Sequence, residues 1–237
     1  MINVVLAYIV SIIVRYLLGC IPSAYLVGLK FKGIDIRTTG SKNMGAMNTF
    51  YMIGFWPGML VLAMDISKGA LAVFCSYLAG VLFNIPGNAY VPMEMVSGII
   101  VIAGHNFPVF LKFKGGKGGA TSIGVLAFII PWAIPVYLAS FLLLLLITRW
   151  ATFSYGITSV VVYPLVAWYS NSNLQLNLFN LVLTFTESEY RLALTIYAAF
   201  IALVPILMYI PRIKEIWNKA GGNLIRGIFR KNLKDRL

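Results

Sequence analysis

Pro57-Gly-Met-Leu-Val-Leu-Ala-Met-Asp-Ile-Ser-Lys-Gly-Ala-Leu-Ala-Val-Phe-Cys-Ser-Tyr-Leu-Ala-Gly-Val-Leu-Phe83 is an apolar run whose only charges are Asp65 and Lys68. A helix rises about 1.5 Å per residue, so roughly 20 such residues cross the hydrocarbon core of a bilayer. This run is long enough. The rest of the chain agrees with it. Of 237 residues, 60% are hydrophobic and 11% charged, with a mean hydropathy of +0.86. A soluble domain carries about 25% charged residues, so this chain has too little charge to coat a water-facing surface. Its net charge of +12 comes from 19 Lys+Arg against 7 Asp+Glu. A nucleic-acid binder of that charge would still need a soluble scaffold. The basic excess therefore reads as the topology signal of an integral membrane protein, and no nucleic-acid partner is expected.

Outward from 57–83, apolar runs punctuated by Pro, Gly and charge give seven expected spans: 4–28, 57–83, 93–111, 119–134, 136–148, 154–170 and 190–210. Pro131 and Pro135 separate the fourth from the short fifth, which reads as a tight helical hairpin. Seven spans put Lys30, Lys32, Arg37 and Lys42 on one side, together with Lys112, Lys114, Lys117, Arg149 and eight basic residues after 211. That is 16 of the 19, and a six-span count would scatter them. The positive-inside rule then predicts an all-α polytopic protein with its N-terminus outside and its C-terminus cytoplasmic. Arg15 interrupts the first run and no basic region precedes it, so that run reads as a retained span rather than a signal peptide. One transmembrane domain is expected over 1–221. In 222–237, Ile225, Phe229 and Leu233 recur beside Arg226, Arg230 and Lys234, as in a basic amphipathic tail lying on an anionic leaflet. Cys20 and Cys75, both in spans, are too few for a disulfide framework or thiolate metal site.

Polar, glycine-rich blocks in so apolar a chain cost stability unless they line a site. The topology puts three at the cytoplasmic face. In 33–48, Ser41, Lys42, Asn43 and Asn48 surround Gly40 and Gly45. Converging backbone N–H groups and side-chain donors there suit a phosphate or polyol, or make a plain polar connection. In 104–121, Gly115-Gly-Lys-Gly-Gly119 precedes an apolar run, a glycine turn at a helix N-terminus. Orphan N–H groups, the positive end of the helix dipole and Lys117 suit an anion; a flexible basic loop is the plainer alternative. It is not a Walker A loop, because Gly118 follows Lys117 and Leu111 occupies the first glycine position. His105 is the only histidine, and alone it makes no metal site. It reads as a base, a substrate ligand or a helix-end cap. In 148–154, Arg149 with the hydroxyls of Thr148, Thr152 and Ser154 offers a further phosphate contact or simple anchoring at the interface. Asp65 and Lys68, at i and i+3, read as a neutralising pair more readily than as proton carriers.

These blocks resemble the PlsY family, the bacterial membrane acyltransferases that acylate glycerol 3-phosphate from acyl phosphate. The resemblance runs from Leu18-Gly-Cys-Ile-Pro-Ser23 through Gly40-Ser-Lys-Asn-Met-Gly-Ala-Met-Asn48 and Asp65-Ile-Ser-Lys-Gly-Ala-Leu-Ala-Val73. It continues through Gly104-His-Asn-Phe-Pro-Val-Phe-Leu-Lys-Phe-Lys-Gly-Gly-Lys-Gly-Gly-Ala-Thr121 to Thr148-Arg-Trp150. It is strong over roughly 15–160 and weak beyond. It implies seven helices in the bacterial inner membrane, an active site at the cytoplasmic leaflet, and lysophosphatidic acid and phosphate as products. Acyl phosphate and glycerol 3-phosphate are the implied substrates, with acyl chains entering from lipid. No metal, cofactor or obligate protein partner is implied. Carried over by match, Ser41, His105 and Lys117 are the catalytic candidates. Gly40, Asn43, Asn48, Gly115, Gly116, Gly118, Thr121, Arg149 and Thr152 are the substrate-binding candidates. An acyl phosphate is already activated, so positioning and neutralising its leaving phosphate supply much of the catalysis. The His-x4-Asp motif of coenzyme A-dependent glycerolipid acyltransferases is absent, Phe110 standing five residues after His105.

The chain departs from the family pattern at identifiable positions. Lys42 stands for the glycine at the third position of the first motif, Met47 for its threonine, and Tyr51 where an arginine is expected. Pro211-Arg-Ile-Lys214 aligns with a His-Arg-x-x-Asn-like segment, losing both His and Asn. A paralogue acylating another phosphorylated acceptor is the alternative these departures raise. A transporter of a phosphorylated solute is the competing class. It fits less well, because the polar blocks crowd one face and no internal repeat is visible.

Overall fold

A computed structural model of the chain describes residues 2–83, 90–131, 133–148, 151–173 and 189–208. The tail 222–237, Arg149, Pro211 and Lys214 lie outside them. The described residues are helical, with no strand among them: α1 (Ile2–Gly19), α2 (Ser23–Lys32), α3 (Ala46–Met52), α4 (Phe55–Leu82), α5 (Tyr90–Asn106), α6 (Gly119–Ile129), α7 (Ala133–Thr148), α8 (Ala151–Asn173) and α9 (Glu189–Leu207). Three segments, Ser11–Lys32, Phe55–Leu82 and Pro92–Leu111, are long and apolar enough to cross a membrane, and α6 to α9 contain shorter apolar helices. Leu142, Leu143, Leu146 and Ile147 on α7 face outward, more than half exposed, as lipid-facing residues do.

Proline explains most differences from the expected spans. The first span is broken. Pro22 lacks an N–H and disfavours helical backbone in the residue before it, so α1 ends at Gly19 and α2 starts at Ser23. Pro108 likewise ends the third span at Asn106, and Val109–Leu111 form a 3-10 turn. Pro131 ends α6 at Ile129, well before 134. The expected tight hairpin of α6 and α7 does not form: α6 packs chiefly on α4, whereas α7 packs on α8, where Tyr137 stacks on Tyr163 with ring centroids 4.7 Å apart. The short helix α3, inside what reads as a loop, was not expected.

Within a bilayer, helices associate by close packing rather than by excluding water, which favours small residues where they cross. Two crossings depend on glycine. Gly19 of α1 meets Gly104 of α5, and a Cβ on either would strike the other helix's backbone, at the carbonyls of Val101 and Tyr16. Gly69 of α4 abuts the Thr121 carbonyl of α6, while Gly124 of α6 abuts the Ile66 carbonyl of α4. These contacts hold α6 at the centre, where Val125 and Leu126 are fully buried. Gly124→Ala is expected to cost about 1–3 kcal/mol through overpacking, measured as a lower Tm in detergent.

Candidate active site

The first polar block is folded around one side chain. Asn48, in α3 and fully buried, accepts from the Ser41 N–H at 3.0 Å. Its amide nitrogen donates to the carbonyls of Ile36, Thr39 and Asn43 at 3.0–3.1 Å. Gly40 has φ +57, and a Cβ there would strike the Asn48 oxygen. Asn48, expected to touch substrate, is thus occupied by the loop's own backbone. Ser41 and Asn43 remain half-buried at the surface. Asn48→Ala removes the bridge between the Ser41 N–H and the Ile36 carbonyl, while the Thr39 and Asn43 carbonyls keep bonds from the Lys42 and Gly45 N–H groups; it is expected to cost about 1–3 kcal/mol, read as a fall in Tm. Lys42 also has a positive φ, +58. It holds, with a side chain, a backbone shape that glycine adopts without cost, the residue the resembled family carries there.

Cations around this loop differ in their engagement. Arg37 pairs with Asp35 at 2.7 Å and lies over the Tyr25 ring at 5.0 Å. Hydrogen bonds from Arg37 hold the Asp35 carboxyl below the usual carboxylate range. The contribution of such a group is present above its unfolded pKa and is lost only as pH falls through the lowered one, so the pair persists at neutral pH. The Lys32 ammonium donates to the Met52 carbonyl at 2.8 Å, closing the end of α3. Lys42 is exposed.

The second block doubles back on the end of α5. Gly115 N–H donates to the Asn106 carbonyl and Gly116 N–H to the His105 carbonyl, each at 3.1 Å. Those two amides, expected to face an anion, instead satisfy the carbonyls that a helix end leaves orphaned. The contribution of Gly116 is space: a Cβ there would strike His105 Nε2 and fall 2.6 Å from the Met44 carbonyl of the first block. The two polar blocks therefore meet at Gly116. Gly118, buried with φ +83, caps α6 without any side-chain hydrogen bond. The first helical bond runs from Ser122 N–H to the Gly118 carbonyl at 2.7 Å, so the amides of 119–121 precede the helical ladder. Half-buried Lys117 sits in this turn, and Tyr155 of α8 leans on Gly119, with its hydroxyl 3.1 Å from where a Cβ would lie. The N-terminal end of α8, which includes Thr152, is thereby brought to the turn. Buried beside it, Asn106 Oδ1, Thr121 Oγ1 and Ser122 Oγ have no hydrogen-bond partner. An uncapped helix N-terminus with a lysine and two hydroxyls free to donate, those of Thr121 and Ser122, is an arrangement that suits an anion.

Other candidates fall elsewhere. The Thr148 hydroxyl donates to the Leu144 carbonyl and shares a 2.8 Å hydrogen bond with Ser154, so these two hydroxyls close the α7–α8 turn. His105 is buried at 4% exposure beneath Gly116. Asp65 and Lys68 form the expected pair at 2.8 Å, almost fully buried. Sequence reasoning missed Asn106 and Tyr155. Asn106 sits in a recognised motif, but nothing in its spacing shows its carbonyl returning to Gly115. Among the described residues, no three His, Cys, Asp or Glu side chains gather as metal ligands would.

Comparisons with known proteins converge. A family profile described as glycerol-3-phosphate acyltransferase matches residues 9–219. Glycerol-3-phosphate acyltransferase 2 of Dehalococcoides mccartyi (strain ATCC BAA-2266 / KCTC 15142 / 195) is 50% identical over 99% of this chain and 100% of its own length. The glycerol-3-phosphate acyltransferase of Bacillus subtilis (strain 168) is 41% identical over 63% of this chain and 72% of its own. The crystal structure of PlsY, an integral membrane glycerol 3-phosphate acyltransferase, in its glycerol 3-phosphate form, shares the fold. Its TM-score is 0.66 at 24% identity, over 94% of this chain and all of that one.

Proposed function

This chain belongs to the glycerol-3-phosphate acyltransferase family, and from that premise we propose that it acylates the sn-1 hydroxyl of glycerol 3-phosphate from acyl phosphate. The hydroxyl oxygen attacks the acyl carbon and the carbon–oxygen bond to the phosphate breaks. The hydroxyl proton ends on the released phosphate, and lysophosphatidic acid remains. The observation that carries this reading is the meeting of two polar blocks at Gly116, beside the uncapped end of α6.

Both substrates bring a phosphate. Lys117 and the amides of 119–121 suit the phosphate whose charge grows as it leaves, where fixed donors stabilise the transition state more than the ground state. Ser41 and Asn43, on the loop that Asn48 organises, suit the acceptor. By the family resemblance alone, Arg149 and Thr152 are assigned a further phosphate contact. The protein is an integral membrane enzyme. We place its active site on the cytoplasmic side, because the seven-span reading of the sequence puts 16 of the 19 basic residues on the face that carries these loops. The acyl chain reaches the site from the lipid.

The donor is tested by offering the purified protein acyl phosphate, acyl coenzyme A or an acyl carrier protein thioester, each with glycerol 3-phosphate. Product is expected from acyl phosphate alone. Equal product from a thioester would remove the leaving phosphate, and with it the role given to the α6 turn.

A further inference from the structure

Beneath the glycine turn lies a buried cluster that the acyl transfer does not itself require. Asp65, Lys68, His105 and Ser23 are each at most 4% exposed and come from three parts of the fold: α2, α4 and α5. One oxygen gathers them. Asp65 Oδ1 accepts from the Ser23 hydroxyl at 2.8 Å, pairs with the Lys68 ammonium at 2.8 Å, and lies 3.7 Å from His105 Nδ1. Lys68 also donates to the Ile21 carbonyl at 3.0 Å. That carbonyl lies at the break in the first span and also accepts from the Ser23 N–H at 3.0 Å, so the ammonium and the first turn of α2 share it. On its other side the imidazole meets backbone: Nε2 lies against Gly116, whose N–H is bonded to the His105 carbonyl.

We propose that Asp65 is a positioning residue for acyl transfer, acting through His105 on Gly116; this rests on the anion-binding role given above to the α6 turn. His105 is a strut. Asp65 faces one edge at 3.7 Å, a packing and electrostatic contact with no hydrogen bond to Nδ1; the other edge supports the seam where Gly116 touches Met44, and Lys117 follows directly. Ser23 and Lys68 fix the Asp65 carboxylate, and through Ile21 they tie the strut to the break between α1 and α2. A shift of the imidazole moves the turn that carries Lys117. His105 is buried, and its Nε2 packs against the backbone of Gly116. It is therefore assigned a positioning role rather than that of a base.

Inorganic phosphate, a product, probes the turn directly as a competitive inhibitor against acyl phosphate. Replacing Asp65 alone strands a buried ammonium, so the test uses His105→Ala, the neutral double variant Asp65→Asn with Lys68→Met, and the milder Ser23→Ala. A displacement approaching 1 Å is expected to raise the phosphate inhibition constant about tenfold or more in the first two. The kcat/KM for acyl phosphate should fall in parallel per folded molecule. Ser23→Ala should shift both constants the same way, by about two- to threefold, and it keeps the test alive if the others do not fold. A lower Tm with unchanged constants would reduce the cluster to packing and overturn the proposal. So would a fall in kcat of about a hundredfold with an unchanged inhibition constant, which would put His105 at the reacting atoms. If the wild-type protein releases no phosphate from acyl phosphate, the proposed reaction fails instead. Direct binding of radiolabelled phosphate to the same variants then decides the positioning role separately.

Discussion

Lys117→Ala is expected to lower turnover by about 10²–10³-fold while leaving the protein folded. The lysine lies between Gly116 and Gly118, where no other side chain within the turn carries charge. In the proposed reaction the leaving phosphate gains charge as the acyl–oxygen bond breaks, so a fixed cation beside it would act mainly on the transition state. Loss of a single preorganised donor of this kind costs a factor of that size. The lysine is half-buried at the start of α6 and is not part of the apolar core, so Tm should change by little. Phosphate release and lysophosphatidic acid formation, measured per folded molecule, check the prediction. Full activity in the variant would remove Lys117 from the site.

Gly116→Ala is expected to cost about 10²-fold in kcat/KM through geometry alone. The added Cβ strikes His105 Nε2 and lies 2.6 Å from the Met44 carbonyl, one a buried ring and the other backbone of the facing loop. Neither is a flexible chain end that could swing aside, so the loops must separate, and misplacement near 1 Å costs about that factor. Gly33→Ala is the control. Gly33 has φ +65, but a Cβ there meets nothing within 4 Å. It should pay only the backbone strain of roughly 1–2 kcal/mol, seen as a lower Tm with unchanged kcat/KM. Equal activity losses in the two variants would show that turn strain, rather than the seam, matters.

Much of this architecture is legible in the chain because lipid imposes a simple rule on it. Apolar runs such as 57–83 must be helices, since no other local structure satisfies its own backbone there. Prolines mark where they stop, although Pro22 lies inside the expected span 4–28 and divides it. The glycine crossings are not legible. Gly69 and Gly124 look like any small residues until the Thr121 and Ile66 carbonyls are seen against them.

The polar blocks show the same division. That 104–121 concerns an anion can be argued from glycines and a lysine before a helix. Which amides remain for the anion cannot, because Gly115 and Gly116 spend theirs on α5 carbonyls 9–11 residues earlier in the chain. Asn48 shows a related limit: an asparagine in a glycine-rich loop reads as a ligand, and only the fold shows its amide bonded to the loop itself. The Asp65–Lys68 pair was visible as spacing, but Ser23, Ile21 and His105 reach it only through tertiary contact.

In the proposed reaction two phosphates meet at the Gly116 seam and one leaves while an ester forms. The most direct measurement mixes purified, bilayer-reconstituted protein with acyl phosphate and a panel of hydroxylated phosphates, identifying products by mass and counting released phosphate. The prediction is lysophosphatidic acid from glycerol 3-phosphate, with one phosphate released per ester formed. No ester with glycerol 3-phosphate, or ester on another acceptor alone, would contradict it.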